Sequence, residues 1–198
     1  MSFRKELKSI LMKSKSNLLE KWISENNGKI LYPERNINSV YFDNDNLSMY
    51  HDSIEGSVPR KKIRIRNYNK LPEFHLGNNK LELKISSVEG RFKKVNNLHS
   101  LNLANYKIKD ENYGSCYPVI CISYKRIYYQ LKEFRLTVDK NINYRKIFFG
   151  RISNFYFTEP NNIIEIKYLK QKDDKIFNIF PFHLVRFSKY CRAIESIY

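Results

Sequence analysis

Acidic residues are scarce in this chain of 198 residues: 20 Asp and Glu stand against 36 Lys and Arg, a formal net charge of +16. Such an excess of cations on a small domain calls for an anionic partner or leaves a strongly self-repelling surface. Cysteine is also rare. Cys116, Cys121 and Cys191 make an odd count with no CxxC spacing, which excludes a disulfide framework and a cysteine zinc site and is read as the habit of a reducing, cytoplasmic compartment. His51, His75, His99 and His183 form no HExxH and no close pair, so histidine-based metal chemistry is not expected. Glycine and proline, six each, are too few for a collagen-like or linker-like chain. No apolar run approaches the ~18 residues of a transmembrane helix. The start, MSFRKELKSILMKSK, is basic but has no apolar core, so a signal peptide is not expected either.

What remains is enough apolar material for a packed core, 42% of residues, with an aromatic share of 15%. Residues 3–10 alternate like a strand. Ser14 and Ser16 offer N-caps for a helix through Leu18, Leu19, Trp22 and Ile23 that stops at Asn27-Gly28. SVYFD at 39–43 reads as a strand that residues 47–57 carry on to a turn at Glu55-Gly56. Further strand patterns fall at 60–68, 80–86, 119–129, 134–139, 144–149 and 163–168. Residues 96–117 read as a loop with a short helix, and Phe187 to Ile197 has helical spacing. The expectation is one β-rich α+β domain over residues 1–198.

The informative feature lies inside the strands. Ile63-Arg64-Ile65-Arg66, Leu81-Glu82-Leu83-Lys84-Ile85 and Ile164-Glu165-Ile166-Lys167 alternate apolar with charged, and the stretches around Lys8, Tyr124-Lys125-Arg126 and Arg135-Leu136-Thr137-Val138-Asp139 have related spacing. Period two puts each charged set on one sheet face. A solvated face would give the same alternation, but it normally mixes Thr, Ser and Gln, whereas this one keeps returning to Arg, Lys and Glu. If the sheet closes, that face lines a lumen suited to a polyanion and a divalent metal. There is no GxxxxGK[ST] and no GxGxxG, and the glycines are too dispersed to cradle phosphates with backbone amides. Phosphate contacts would therefore come from side chains, and the forked guanidinium of arginine suits them.

The strings SVYFD (39–43), MYHD (49–52), PRKKIRIRNY (59–68), LELK (81–84), SYKR (123–126), RLTVD (135–139), IIEIKY (163–168) and FSKY (187–190) occur in this order. Together they resemble the VTC domain, the polyphosphate polymerase domain among the triphosphate tunnel metalloenzymes, over essentially the whole chain. The resemblance implies a closed antiparallel β-barrel, a tunnel with flanking helices, in which the γ-phosphate of ATP is transferred onto polyphosphate with Mn²⁺ or Mg²⁺. It implies Lys8, Arg64, Arg66, Lys84, Arg126, Arg135 and Lys189 as tunnel cations. Tyr124 and Ser188 become phosphate contacts, together with Lys94, for which Lys93 is the alternative. Glu165 becomes the metal ligand. Arg4 stands where the related triphosphatases begin an ExExK motif, which argues against a typical triphosphatase.

Each assignment has a plain structural alternative. Arg64 and Arg66 could pair with carboxylates of a neighbouring strand, Glu165 with Lys167 or Lys84, and Ser188 could cap a helix. Asp43-Asn44-Asp45 reads as a turn. The expected partners are ATP and inorganic polyphosphate. Nucleic acid is not expected, because the cations sit inside strands; association with a membrane partner stays open. A polyphosphate-binding module without turnover and a tunnel triphosphatase are the competing functions.

Overall fold

The computed structural model describes residues 4–132, 134–169 and 179–198. In chain order the elements are β1 (Arg4–Met12), α1 (Ser16–Glu25), β2 (Lys29–Asp43), α2 (Ser48–Glu55), β3 (Arg60–Asn67), β4 (Asn79–Ser87), β5 (Gly90–Leu98), β6 (Ile108–Asp110), β7 (Gly114–Leu131), β8 (Phe134–Phe148), β9 (Arg151–Ile152), β10 (Phe157–Thr158), β11 (Asn161–Leu169) and α3 (Lys189–Ile197). The pairs β1–β11, β11–β8, β8–β9, β8–β10, β7–β6, β2–β3, β3–β4 and β4–β5 are all antiparallel. The contacts divide the chain into two compact units. One comprises residues 1–35, 124–142 and 159–187; the other comprises 36–123, 143–158 and 188–198. The long strands β2, β7 and β8 run from one unit into the other, so neither unit is a continuous stretch of sequence.

In the first unit the strand order is β1-β11-β8-β7. Leu11, Leu136, Val138, Ile164 and Ile166 point to one side, where α1 brings Leu19, Trp22 and Ile23 against them. Trp22 donates its indole N–H to the Ile179 carbonyl at 2.9 Å, which anchors the helix. α1 begins at Ser16 itself after Lys15, without a side-chain cap, so the expected serine caps do not act as such; Ser16 instead donates to the Lys13 carbonyl.

In the second unit the order is β2-β3-β4-β5. Val40, Phe42, Ile63 and Ile65 form its core, with Leu81 and Leu83 packed against them. Residues 47–57 do not continue a strand. Asp43 accepts hydrogen bonds from the backbone of Met49 and Tyr50, both at 3.0 Å, and the Asn44 side chain accepts one from Ser48. Those bonds satisfy the free N–H groups at the start of α2, so the turn residues build a helix N-terminus. Gly56, at φ 87°, ends that helix in the left-handed conformation glycine favours. The stretch 96–117 contains the end of β5, a 3-10 turn at Leu103–Asn105 and the short β6. β8 is one strand where the sequence suggests two. Asn141, at φ 52°, interrupts its alternation, a conformation asparagine tolerates better than most residues.

The β-rich antiparallel architecture with few helices agrees with the sequence reading. Closure does not appear among the described pairings: β1 pairs only with β11, and β5 only with β4. The Lys8 carbonyl of β1 also accepts a hydrogen bond from the Val185 N–H at 2.8 Å.

Candidate functional site

Residues opposite one another in an antiparallel ladder share a face, as do residues two apart in a strand. In the second unit this register puts Arg60, Lys62, Arg64 and Arg66 of β3, Lys80, Glu82 and Lys84 of β4, and Arg91 and Lys93 of β5 on one side, away from the apolar core. Glu82 is the one carboxylate among them. It is buried and receives Arg64 Nε at 2.6 Å and Lys93 Nζ at 2.7 Å, with Arg66 Nη1 at 3.9 Å. Burial alone would raise its carboxyl, but Arg64 and Arg66 outweigh that and hold it well below the usual carboxylate range. Arg64 and Arg66 are 7% and 8% exposed, so these are not solvated surface cations.

Polar groups from β2 and α3 back this face. Arg64 donates to the Tyr41 hydroxyl at 2.9 Å, and Arg66 to Ser39 at 3.3 Å. Burial pushes the Tyr41 phenol up, yet the neighbouring guanidinium groups bring it below the ordinary tyrosine value. Tyr190 of α3 stacks on Tyr41 at 5.0 Å and donates its hydroxyl to Asp43 at 2.5 Å. Burial, with Asp43 alongside, drives the Tyr190 phenol far up. Ser188 accepts from the Cys191 N–H at 3.3 Å as the cap of α3 and from Lys62 Nζ at 2.9 Å. Capping and membership of the cationic cluster therefore coincide at Ser188. Lys189 is the first residue of the helix and is partly buried.

Lys93 and Lys94 separate cleanly. Lys93 stands opposite Lys84 and reaches Glu82. Lys94 stands opposite Leu83 and is exposed on the other side of the strand. The register thus puts Lys93, and not Lys94, on the face of Arg64.

The first unit has a face of different chemistry. Glu6 and Lys8 of β1, Glu165 and Lys167 of β11, and Arg135, Thr137 and Asp139 of β8 share it through the ladder. Arg126 of β7 joins them, donating to Asp139 at 2.5 and 2.7 Å and approaching Glu165 at 3.6 Å. Against the burial that would favour its neutral form, Asp139 keeps Arg126 firmly charged. Its guanidinium also lies over the Tyr124 ring at 5.4 Å. Lys167 bridges Glu165 at 2.8 Å and Glu6 at 3.3 Å. Lys8 reaches Glu6 at 3.3 Å and donates to the Phe187 carbonyl at 2.7 Å. Arg135 is partly buried. Carboxylates and cations nearly balance on this face, whereas the other face is almost purely cationic.

The pairings foreseen as structural alternatives are all present: Arg64 with a neighbouring strand's carboxylate, Glu165 with Lys167, and Ser188 as a cap. Several neighbours of the expected residues went unassigned in the sequence. Lys62 lies two before Arg64 in KKIRIR, and Glu82 and Asp139 lie at period-two positions in LELK and RLTVD. The signal was the alternation itself. Tyr41 and Thr137 carried no charge to mark them.

Among the described residues no group of three or more His, Cys, Asp or Glu side chains converges to form a metal cage. Magnesium-like ions need less than that, since one or two carboxylates with substrate phosphates and water complete their octahedron. The donors beside Glu165 fit such a shared site. Glu165 is 7% exposed, and the buried hydroxyl of Thr137, its register partner on β8, has no hydrogen-bond partner. An ion or an ordered water beside Glu165 would give that hydroxyl its partner.

The fold has counterparts among solved structures. A Vibrio parahaemolyticus protein described as a candidate adenylate cyclase superposes with a TM-score of 0.56 at 12% identity, covering 98% of both chains. HpAC1 from Hippeastrum, described as an adenylyl cyclase candidate with a dominant triphosphatase activity, superposes with a TM-score of 0.54 at 15% identity, covering 96% of this chain and 95% of its own. No curated protein matches the chain in sequence. The model of the VTC domain family matches residues 3–106 and 91–198. The chain therefore belongs to the VTC domain family.

Proposed function

We propose that the protein is a metal-dependent polyphosphate polymerase that transfers the γ-phosphate of ATP onto inorganic polyphosphate inside a closed tunnel formed by a single domain, residues 1–198. The observation that carries this reading is the β3–β5 face, where the register puts eight cations and one carboxylate on the same side. Arg60 to Arg66 is three two-residue steps of ~7 Å, a row about 20 Å long. A row of that length suits a phosphate chain better than a single phosphate group. In this reading Lys8, Arg64, Arg66, Lys84, Arg126, Arg135 and Lys189 neutralise the chain and the transferring group. Tyr124 and Ser188 contact phosphate oxygens, and Lys93 takes the role first given to Lys94.

The attacking group is a terminal phosphate oxygen of the polymer, already ionised, so no protein nucleophile is needed. It forms a bond to the γ-phosphorus as the β–γ bridge breaks, and the bridging electron pair leaves with ADP. Fixed cations stabilise the charge that spreads over the transferring group without reorganising. Glu165 would hold Mn²⁺ or Mg²⁺ with Thr137 beside it; the ion supplies Lewis-acid polarisation of the phosphate oxygens. Arg126 and Lys167 orient the Glu165 carboxylate from two sides.

Hydrolysis of triphosphate is the second reading, favoured by the shared fold with HpAC1 and its described triphosphatase activity. Incubation with ATP and Mn²⁺, followed by a polyphosphate gel and a free-phosphate assay, separates the two. Long chains are expected. Free phosphate alone would establish the hydrolase, and neither product a binding module. Glu165→Gln keeps the shape and removes the charge. It should lower turnover by about a hundredfold or more, the several kcal/mol a metal contributes to the barrier, while the protein stays folded. Full turnover in that variant at saturating Mn²⁺ would return Glu165 to a purely structural role.

A further inference from the structure

Far from the charged strand faces in sequence pattern, residues 143–158 contain six aromatic rings, three cations and no Asp or Glu. The chain turns back at Phe149-Gly150, between Phe148 and its ladder partner Arg151. It then leaves the ladder at 153–156 before Phe157 pairs with Tyr144. At the turn Phe149 is 96% exposed, and in the excursion Phe155 is 89% exposed. Phe148 and Tyr156 are more than half exposed as well.

Two costs converge on Phe149. A phenyl ring stands almost wholly in water, and its backbone sits at φ 46°, a left-handed conformation unfavourable for bulky residues. Asparagine or glycine would serve the turn better. The turn is also braced. A Cβ on Gly150 would lie 2.1 Å from the Cα of Ala104, so the hairpin is pressed against the 3-10 turn at Leu103–Asn105. A shallow cavity of about 530 Å³ opens there, with Phe148, Phe149, Arg151, Ser153 and Asn154 among its lining residues. Cations stand by the rings: Arg145 over Tyr156 at 5.0 Å, Lys146 over Phe148 at 4.9 Å, and Arg192 over Phe157 at 5.9 Å.

We propose that the Phe148–Phe157 hairpin docks on an anionic lipid bilayer, with Phe149 and Phe155 entering the boundary between headgroups and acyl chains and Lys146 and Arg151, which share a face of the hairpin, meeting the headgroups. Exposed apolar tips backed by cations are the chemistry of interfacial attachment. A second copy of the chain fits less well, because self-pairing would press the cations of one hairpin, which has no Asp or Glu between residues 143 and 158, against those of another. Single-stranded nucleic acid also fits less well. A stacking platform offers one supported ring face, whereas a ring 96% exposed has almost no support behind it. Attachment is independent of the proposed phosphoryl transfer and uses none of its residues.

The test is co-sedimentation of the whole protein with vesicles of phosphatidylcholine alone or mixed with phosphatidylglycerol, at low and high salt. Binding is expected to the mixed vesicles and to weaken with salt. Phe149→Ser with Phe155→Ser leaves the net charge unchanged and removes no packed side chain. It should reduce the partition coefficient by about tenfold or more. Arg151→Ala should reduce it by about fivefold. In a Phe149→Trp variant, emission should shift to the blue with mixed vesicles, above the buried Trp22 background. Equal binding by the double serine variant would overturn the proposal, leaving only diffuse attraction by the net charge. So would no binding by the wild type. A single-stranded oligonucleotide bound by the wild type and lost in the double variant, without vesicle binding, would assign the loop to nucleic acid instead. A wild-type dimer in sedimentation velocity that the double variant abolishes would assign it to a second copy. None of these variants should alter stabilisation by triphosphate, so failure here is distinguishable from failure of the phosphate-binding reading.

Discussion

Glu82 is the counter-charge that lets the second unit fold with Arg64 and Arg66 buried. Removing one partner of a buried ion pair leaves the other charge desolvated and uncompensated, a loss of about 3–5 kcal/mol. Glu82→Gln should therefore lower the melting temperature strongly at pH 7. High phosphate should restore part of the loss, because an anion can take the vacated place beside Arg64. The pH dependence has a definite sign. The carboxyl is held below its ordinary value of 4.5, so its stabilisation is complete above that value and disappears as pH falls through the lowered folded value. The gap between wild type and Glu82→Gln should stay constant from neutral pH down to about 4.5 and narrow only in stronger acid. Thermal melts over that range measure it. A gap that closes near neutral pH would mean that Glu82 is not held ionised by the arginines.

At the scale of elements, α3 joins a capping bond to the cationic cluster through one hydroxyl. Ser188→Ala removes the acceptor for the Cys191 N–H and for Lys62 together. Loss of the cap alone should cost about 0.5–2 kcal/mol, read as a lower melting temperature. Ser188→Asp should recover the cap and weaken phosphate binding through its added negative charge. If the aspartate variant bound phosphate as tightly as wild type, Ser188 would be a cap and nothing more. The strands were the legible elements in the sequence, because one apolar face and one charged face impose a period of two that survives without knowledge of partners. α2 was not legible in that way. Its start is fixed by the Asp43 and Asn44 side chains accepting from the backbone of Met49, Tyr50 and Ser48, and four residues between the Asp43 carboxylate and the helix hide that bond from a local pattern. β5 was obscured because both its faces are largely exposed and its sequence therefore does not alternate. The same lack of alternation left Lys93 and Lys94 indistinguishable until the ladder to β4 fixed the register. Of the candidate site, the cations of β3, β4 and β7 could be read directly. Their counter-ions Glu82 and Asp139 could not be assigned, since which strand lies beside which is a tertiary fact.

For the whole molecule, a net charge of +16 means that the empty protein carries substantial self-repulsion. Anions that bind the folded state should relieve it and raise the melting temperature. If a row of fixed side-chain cations is the binding element, the response must depend on the number of linked phosphates. Long polyphosphate should stabilise more than triphosphate, and triphosphate more than pyrophosphate or orthophosphate. Each further phosphate gains charge-assisted hydrogen bonds of about 1.5–3 kcal/mol when desolvated. The increment should level off once the cation row is filled. Added salt should weaken binding less than it weakens an exposed surface patch, because buried pairs are poorly screened and Arg64, Arg66 and Arg126 are each less than a tenth exposed. Arg66→Ala separates binding from stability. Arg66 approaches Glu82 at 3.9 Å, farther than Arg64 does at 2.6 Å, so its loss leaves the closer Arg64–Glu82 pair intact while deleting one step of the row. A small change in the melting temperature of the free protein and a reduced shift with polyphosphate are expected. A thermal-shift series at matched ionic strength, with duplex DNA as a control polyanion, decides the matter. A flat response across phosphate lengths, or a larger one with DNA, would mean that the basic charge of this chain serves a partner other than a phosphate chain.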